Sequence, residues 1–341
     1  MKFIFVKLVI SLFVILFLRH EIAFADKQEL LETAFIKESI SVRIYKNLKN
    51  TELNSVKVKL QNENRNIKII EKENLTFDVI ENIKIRDYLA GVVSKEMPLS
   101  WPLEALKSQA VIARSYMYAK LAMKRGDGYD LESDHMDQVF SWTKSNRAYL
   151  AVDNTHGEVL VYNLGVHQPF EIVKAYYHSD CGGHTVPASL VWPGAVDTGT
   201  AKDKSCAIRH SNQWQYKMMR SKQVNYSHFK KYKDKILFIA ETSIQKLRER
   251  IGFHLIKNSP SEIEVGADFV LLKGRGYGHG AGLCQWGSRD LALQGFTHIE
   301  ILKHYYPKVV MKKFNSILNR KSLTELKINQ TIVEGLYSYS R

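Results

Sequence analysis

The chain has 341 residues, 45% of them hydrophobic, with a formal net charge of +14 and three cysteines. That is enough apolar material for one large core or two smaller ones, which excludes a disordered or low-complexity protein and removes any need for disulfide staples. The charge favours polyanionic partners, since a basic field raises the local concentration of acidic polymers.

The first 25 residues carry Lys2 and Lys7, an apolar run from Leu8 to Leu18, and the small-x-small triplet Ala23-Phe24-Ala25. This is the pattern of a secretory signal cleaved near Ala25. This run of eleven residues, apolar except for Ser11, is short of the roughly 20 that span a bilayer, so membrane attachment is expected only if the signal stays uncleaved and also uses Phe3 to Val6. Loss of residues 1–25 leaves a charge of +12 on a chain starting at Asp26. An exported protein of this charge meets anionic wall polymers, and nucleic acid is excluded as a partner.

Residues 26–79 are expected to form a β-rich N-terminal region. Ile40-Ser41-Val42-Arg43-Ile44-Tyr45 and Ser55-Val56-Lys57-Val58-Lys59-Leu60 both show partial alternation of apolar and polar side chains. From Pro102, a residue that costs no hydrogen bond in a first helical turn, Ala105, Leu106, Gln109, Ala110, Ala113, Met117 and Leu121 recur at helical spacing and predict a helix over 102–123. Strands are expected between Tyr149 and His178, a helix around Thr242 to Ile251, and a strand over 263–273. Two more helices are expected, over Gln285 to Gln294, stopped by Gly295, and over His298 to Tyr305, before Pro307. The tail over 313–341 is polar. The fold class is α+β, a long helix packed on a mainly antiparallel sheet.

Two stretches carry most of the chemical information. The first is Tyr88-Leu89-Ala90-Gly91-Val92-Val93-Ser94-Lys95-Glu96-Met97-Pro98 with the helix after it. The second runs from Gly274 to Gly287, with six glycines in fourteen residues around Tyr277, His279, Cys284 and Gln285, and is followed by Tyr305-Tyr306-Pro307. No Gly-Lys-Ser/Thr follows the glycines, which argues against a phosphate-binding loop. A glycine-rich backbone is suited either to lying along a glycan or to packing tightly beneath a site. Both stretches resemble the stage II sporulation protein D / LytB family. Asp137-Gln138-Val139-Phe140 and Tyr177-His178-Ser179-Asp180-Cys181-Gly182-Gly183-His184-Thr185 are similar to further family segments, so the likeness covers roughly residues 80–307 and a domain is drawn over 80–312.

The resemblance implies a lytic transglycosylase acting on peptidoglycan glycan strands in the periplasm or cell wall, with Glu96 as the single catalytic acid. One carboxyl group can protonate the leaving oxygen and then act as base, whereas ordinary glycoside hydrolases use two carboxylates. Val92, Val93, Met97 and Trp101 are expected to give Glu96 apolar surroundings that favour its protonated form. Without the resemblance, a glutamate here reads as an ordinary charge at a helix N-terminus. Arg114, Tyr177, His178, Tyr277, His279 and Gln285 are expected to contact substrate, with an ordinary buried ion pair as the alternative for Arg114. LytB-type relatives also suggest a non-catalytic glycan binder that stimulates a cell-wall amidase.

The proposed chemistry needs no cofactor. Zinc is an open alternative at Cys181, His184 and Cys206, residue types that zinc accepts. A Cys181–Cys206 disulfide is the simpler expectation in an oxidising compartment and is worth about 3 kcal/mol on the chain-entropy model. Cys284 is expected to be a free buried thiol. The segment through which some family members are thought to hold zinc reads Leu131-Glu132-Ser133-Asp134-His135-Met136-Asp137 here and lacks cysteine.

Overall fold

A computed structural model describes residues 33–123, 128–162, 171–208, 212–222, 224–239 and 242–314. The expected signal peptide over 1–25 and the tail from 315 onward lie outside the described residues. The fold is mixed α+β with mostly antiparallel sheets. Among the described residues no helix is long and apolar enough to cross a membrane.

The chain divides into two compact units. One takes in residues up to Tyr88 together with Met117–Phe140 and Phe314 onward; the other takes Leu89–Tyr116 and Ser141–Lys313. The β-rich region expected over 26–79 thus shares its unit with residues 117–140, which the sequence grouped with the domain over 80–312.

In the first unit, β1 (Ser39–Lys49), β2 (Ile67–Glu71) and β3 (Thr76–Lys84) form a sheet in the order β2-β3-β1, extended by the short β4 (Leu131–Glu132). β3 runs antiparallel to both neighbours, while β4 lies parallel to β1. Ile40 and Val42 point inward as the alternation predicts. A register shift between Arg43 and Tyr45 accompanies the burial of Arg43 next to Val42. The buried guanidinium donates from Nη1 to Asp78 at 2.8 Å and from Nε to Glu132 at 2.8 Å, pairs a second time with Glu132 through Nη2, and lies 4.4 Å from the centre of the Tyr129 ring. Burial alone would lower its proton affinity, but the hydrogen bonds to Glu132 and Asp78 raise it instead.

One expectation in this unit is overturned. Ser55–Leu60 is part of a helix, α1 (Asn50–Asn62), and not a strand. Leu53, Val56 and Leu60 recur at i, i+3 and i+7, and they pack with Val79 of the sheet, whereas Val58 is 57% exposed. Glu52, at the third helical position, accepts from the Lys49 backbone N–H at 2.9 Å and so caps the helix start.

Two helices follow, α2 (Ile85–Glu96) and α3 (Leu103–Leu121), the second close to its predicted bounds. Pro98 disfavours helical backbone at the residue before it, so α2 stops at Glu96. The second unit continues through α4 (Asn146–Asn154), β5 (Glu158–Tyr162), β6 (Tyr177–His178), α5 (Lys204–Ile208), β7 (Gln213–Met219), β8 (Phe229–Tyr232), β9 (Lys235–Ile239) and β10 (Thr242–Ser243). It ends with α6 (Ile244–Ile251), β11 (Pro260–Val265), β12 (Phe269–Arg275), β13 (Leu283–Cys284), α7 (Gln285–Leu293), α8 (His298–Tyr305) and β14 (Val309–Lys313). Two three-stranded antiparallel sheets, β11-β12-β7 and β10-β9-β8, share a core of Trp214, Ile236, Leu247, Val270 and Leu272.

Among the described residues, the strand expectation for Tyr149–His178 holds only for β5 and β6. Ser145 accepts from the Ala148 backbone N–H and caps α4, which buries Ala148, Ala151 and Val152 on one face. Likewise 263–273 is two strands of a hairpin, β11 and β12, and not one.

Truncation of Arg43 takes the buried cation away from Asp78, 1% exposed, and from Glu132, and leaves Asp78 with Lys72 at 3.4 Å. Arg43→Ala therefore lowers stability by about 3 kcal/mol, read as a fall in the urea midpoint at unchanged m-value.

Candidate functional site

Glu96 is the last residue of α2 and is half-buried. It stands at the negative end of that helix dipole, not at the N-terminal position the sequence suggested. Val92, Val93, Met97 and Trp101 around it in sequence are all buried, and the Trp101 ring packs on Trp286 with 5.0 Å between centroids.

The second motif reaches this carboxyl group through Gln285. Its Nε2 donates to Glu96 Oε2 at 3.5 Å and to Gln109 Oε1 at 3.3 Å. The helical spacing had placed Gln109 on the inner face of α3; an amide on a buried stripe is the signal that could have marked it as a site residue. Gln285 is itself 6% exposed and opens α7, immediately after Cys284, whose Sγ accepts from the Gly287 backbone N–H at 3.4 Å as the helix cap.

The glycines before it permit close backbone packing. Gly282 has φ +71, and a Cβ there would collide with the Tyr176 carbonyl oxygen; Gly276 has φ +104, and its Cβ would lie 2.6 Å from the Asp180 carbonyl. β13 pairs in parallel with β6, and the Tyr277 and Asp180 backbones bond reciprocally at 2.8 and 2.9 Å. Tyr306 donates to the Tyr176 carbonyl at 2.5 Å and accepts from the Leu283 N–H at 3.1 Å, so the Tyr-Tyr-Pro motif supports the same junction.

The remaining expected substrate contacts separate into two groups. Tyr277 is 41% exposed and Tyr177 is half-buried. His279 receives the Ala281 backbone N–H on Nδ1 at 3.1 Å, with Trp192 at 4.7 Å between ring centroids; burial, and the charges of His178 and Arg248, push its pKa well down, so it is a neutral ring. His178, by contrast, is buried, with Nδ1 facing the Ala281 carbonyl at 3.0 Å. Arg114 is corrected: its guanidinium donates to the carbonyls of Val152 and Glu158, both at 3.1 Å, and to Thr155, which commits it to the end of α4 and the start of β5.

Glu104, the other acid of the first motif, is tied down. It accepts from Lys107 at 2.7 Å and from the His298 backbone N–H at 2.7 Å; the His298 ring spans Glu104 and Glu158 at 3.0 and 2.9 Å. Burial pushes both carboxyl groups up, but hydrogen bonds from Lys107 and His298 to Glu104, and from His298 to Glu158, hold both below the usual carboxylate range. No local pattern marks this three-residue bridge, which joins positions up to 194 apart.

All three cysteines are free and buried, so the Cys181–Cys206 disulfide is not formed. The possible zinc set is also rearranged. Cys284 joins Cys181, Cys206 and Asp180 in a group whose ligand atoms lie within 4.8 Å of one another, whereas His184 turns to Asp234 at 3.0 Å. Burial pushes the Cys181 thiol up, yet hydrogen bonds from Cys206, Cys284 and His178 bring it well below its ordinary value.

Comparison with known proteins places this geometry in context. Residues 73–162 match the family model described as stage II sporulation protein. The chain is 29% identical over 266 residues to an uncharacterised protein of Brachyspira hyodysenteriae, covering 72% of this chain and 71% of that one. It is 26% identical over 276 residues to stage II sporulation protein D of Bacillus subtilis, covering 71% and 78%. It is also 25% identical over 298 residues to the amidase enhancer of Bacillus subtilis, covering 66% of this chain but 40% of that protein. The chain is thus similar to stage II sporulation proteins over the matched residues.

The His298 bridge predicts a pH dependence. Glu104 and Glu158 have depressed folded-state pKa values, so their stabilisation is complete above the ordinary carboxylate range and is lost as pH falls through those depressed values. Urea midpoints of the wild type are expected to drop below about pH 4, while His298→Ala costs about 2 kcal/mol at pH 7 and flattens that drop.

Proposed function

We propose that this protein is an exported peptidoglycan lytic transglycosylase that cleaves the MurNAc–GlcNAc bond with Glu96 and releases 1,6-anhydromuramyl products. The likeness to stage II sporulation protein D and to an amidase enhancer supports a role at the cell wall. The observation that carries the enzymatic reading is the meeting of Gln285 with Glu96, which joins two motifs 189 residues apart around one half-buried carboxyl group.

In this reading Glu96 gives its proton to the glycosidic oxygen as the bond from C1 to that oxygen breaks. The resulting carboxylate then takes the proton of the muramyl 6-hydroxyl, whose oxygen bonds to C1, so one group serves as acid and then base. The Gln285 amide orients the carboxyl group, and Gln109 holds the amide. Glu104 is unsuited to be a second acid because Lys107 and His298 keep it ionised. The exposed Tyr277 ring offers a face on which a sugar can stack, and the basic chain suits an anionic wall.

The likeness to the amidase enhancer supports a second reading, a glycan-binding protein that stimulates a cell-wall amidase without cutting glycan itself. Muropeptides released from purified sacculi distinguish the two by mass spectrometry. Glu96→Gln keeps the shape but has no proton to give, so anhydromuropeptide release is expected to fall by about 100-fold or more with sacculus binding retained. Equal release by wild type and variant, or none from either, removes the enzymatic reading. Gln285→Ala is expected to reduce release by about tenfold while also leaving binding intact, since it removes a positioning contact and not the acid.

A further inference from the structure

The three cysteines come from separate parts of the second unit. Cys181 follows β6, Cys206 lies in α5, and Cys284 ends β13. All are 0% exposed. The Cys206 and Cys284 sulfurs are 3.5 Å apart, well beyond a disulfide bond, and a carboxylate oxygen of Asp180 lies in the same 4.8 Å sphere. A tetrahedral zinc with Zn–S bonds of about 2.3 Å sets its sulfurs about 3.8 Å apart, which is close to the spacing found.

Two of these sulfurs accept backbone N–H groups, as a thiolate would. Cys284 Sγ accepts the backbone N–H of Cys181 at 3.2 Å and of Gly287 at 3.4 Å, and it occupies the N-terminal cap of α7, where the helix dipole favours negative charge. Cys181 Sγ accepts the Gly183 N–H at 3.4 Å. Asp180 is held in place by the Gly182 N–H at 2.7 Å and by the Asn212 amide. Three thiolates and a carboxylate around Zn²⁺ carry a net charge of about −2, and Lys235, 2% exposed, sits in the field of Cys181, Asp180 and Cys284. A disulfide would use two of the sulfurs and leave the third, with its backbone donors, facing it; a metal uses all three.

We propose that Cys181, Cys206, Cys284 and Asp180 bind one structural zinc ion that ties β6, α5 and the start of α7 together. Cys284 precedes Gln285 directly, so the ion would also anchor the helix that presents the amide to Glu96. The set is closed by four protein ligands, as in structural zinc sites, and leaves no open position for substrate. It does not depend on the enzymatic reading above, because its tests read metal and thiols.

Full-length protein recovered without chelators is assayed for metal by inductively coupled plasma mass spectrometry and for thiols by alkylation under denaturing, non-reducing conditions. About one zinc per chain is expected, with all three cysteines alkylated and none in a disulfide. X-ray absorption should show a sulfur-dominated shell at about 2.3 Å. Cys206→Ser and Cys284→Ser are expected to retain less than about one tenth of the zinc, whereas His184→Ala keeps it. A disulfide between any two of the cysteines, three free thiols in protein that takes up no added zinc, or zinc lost from His184→Ala overturns the proposal. Should the serine variants fail to fold, metal content, thiol state and the absorption spectrum of the wild type decide it alone.

Discussion

Close backbone approach of the glycine-rich segment to the Tyr176–Gly183 strand is the constraint on which the second unit's chemistry depends. Side chains at Gly276 and Gly282 would enter carbonyl oxygens of that strand, so the parallel pairing of β13 with β6 exists only because those positions have no Cβ. The same pairing delivers two consecutive residues to different tasks. Cys284 turns into the buried cluster with Cys181 and Cys206, and Gln285 turns toward Gln109 and Glu96. A shift of one residue in that register would exchange their faces, which is why the motif is long and specific.

Around that junction the polar groups are placed on matched partners. Tyr306 closes the Tyr176 carbonyl and the Leu283 N–H, and Tyr305 donates to Asp203, which in turn accepts from the Cys206 backbone. Arg114 takes up carbonyls at the end of α4, and His298 bridges two carboxylates. Groups buried this deeply are costly when unpaired, and these networks give Arg114, Asp203 and His298 their partners. They also sort the acids: Glu104 and Glu158 share the His298 ring, while Glu96 accepts from the Gln285 amide.

Much of this was legible in the sequence. The helical period over Ala105 to Leu121 and the helices expected over Gln285 to Gln294 and His298 to Tyr305 are local, and they appear where expected because residues within a few positions decide them. The reading went astray where local signals are degenerate. Ser55–Leu60 satisfies both a period of two and a helical stripe, and the choice fell to the Glu52 cap and the burial of Leu53 and Leu60 against β3. Arg114 on an apolar stripe signals only that a cation is buried, without saying whether carbonyls or a ligand receive it.

The sequence by itself therefore determined the fold class, the main helices and the pair of motifs that matter, since periodicity, capping and glycine patterns act over short range. Tertiary structure alone decided what meets what. It brought Cys284 to Cys206 across 78 residues, sent His184 to Asp234, set Glu96 at a helix end opposite Gln285, and bound Glu104 to His298. Contacts at such separations follow from how sheets and loops close in space, and no local propensity encodes them.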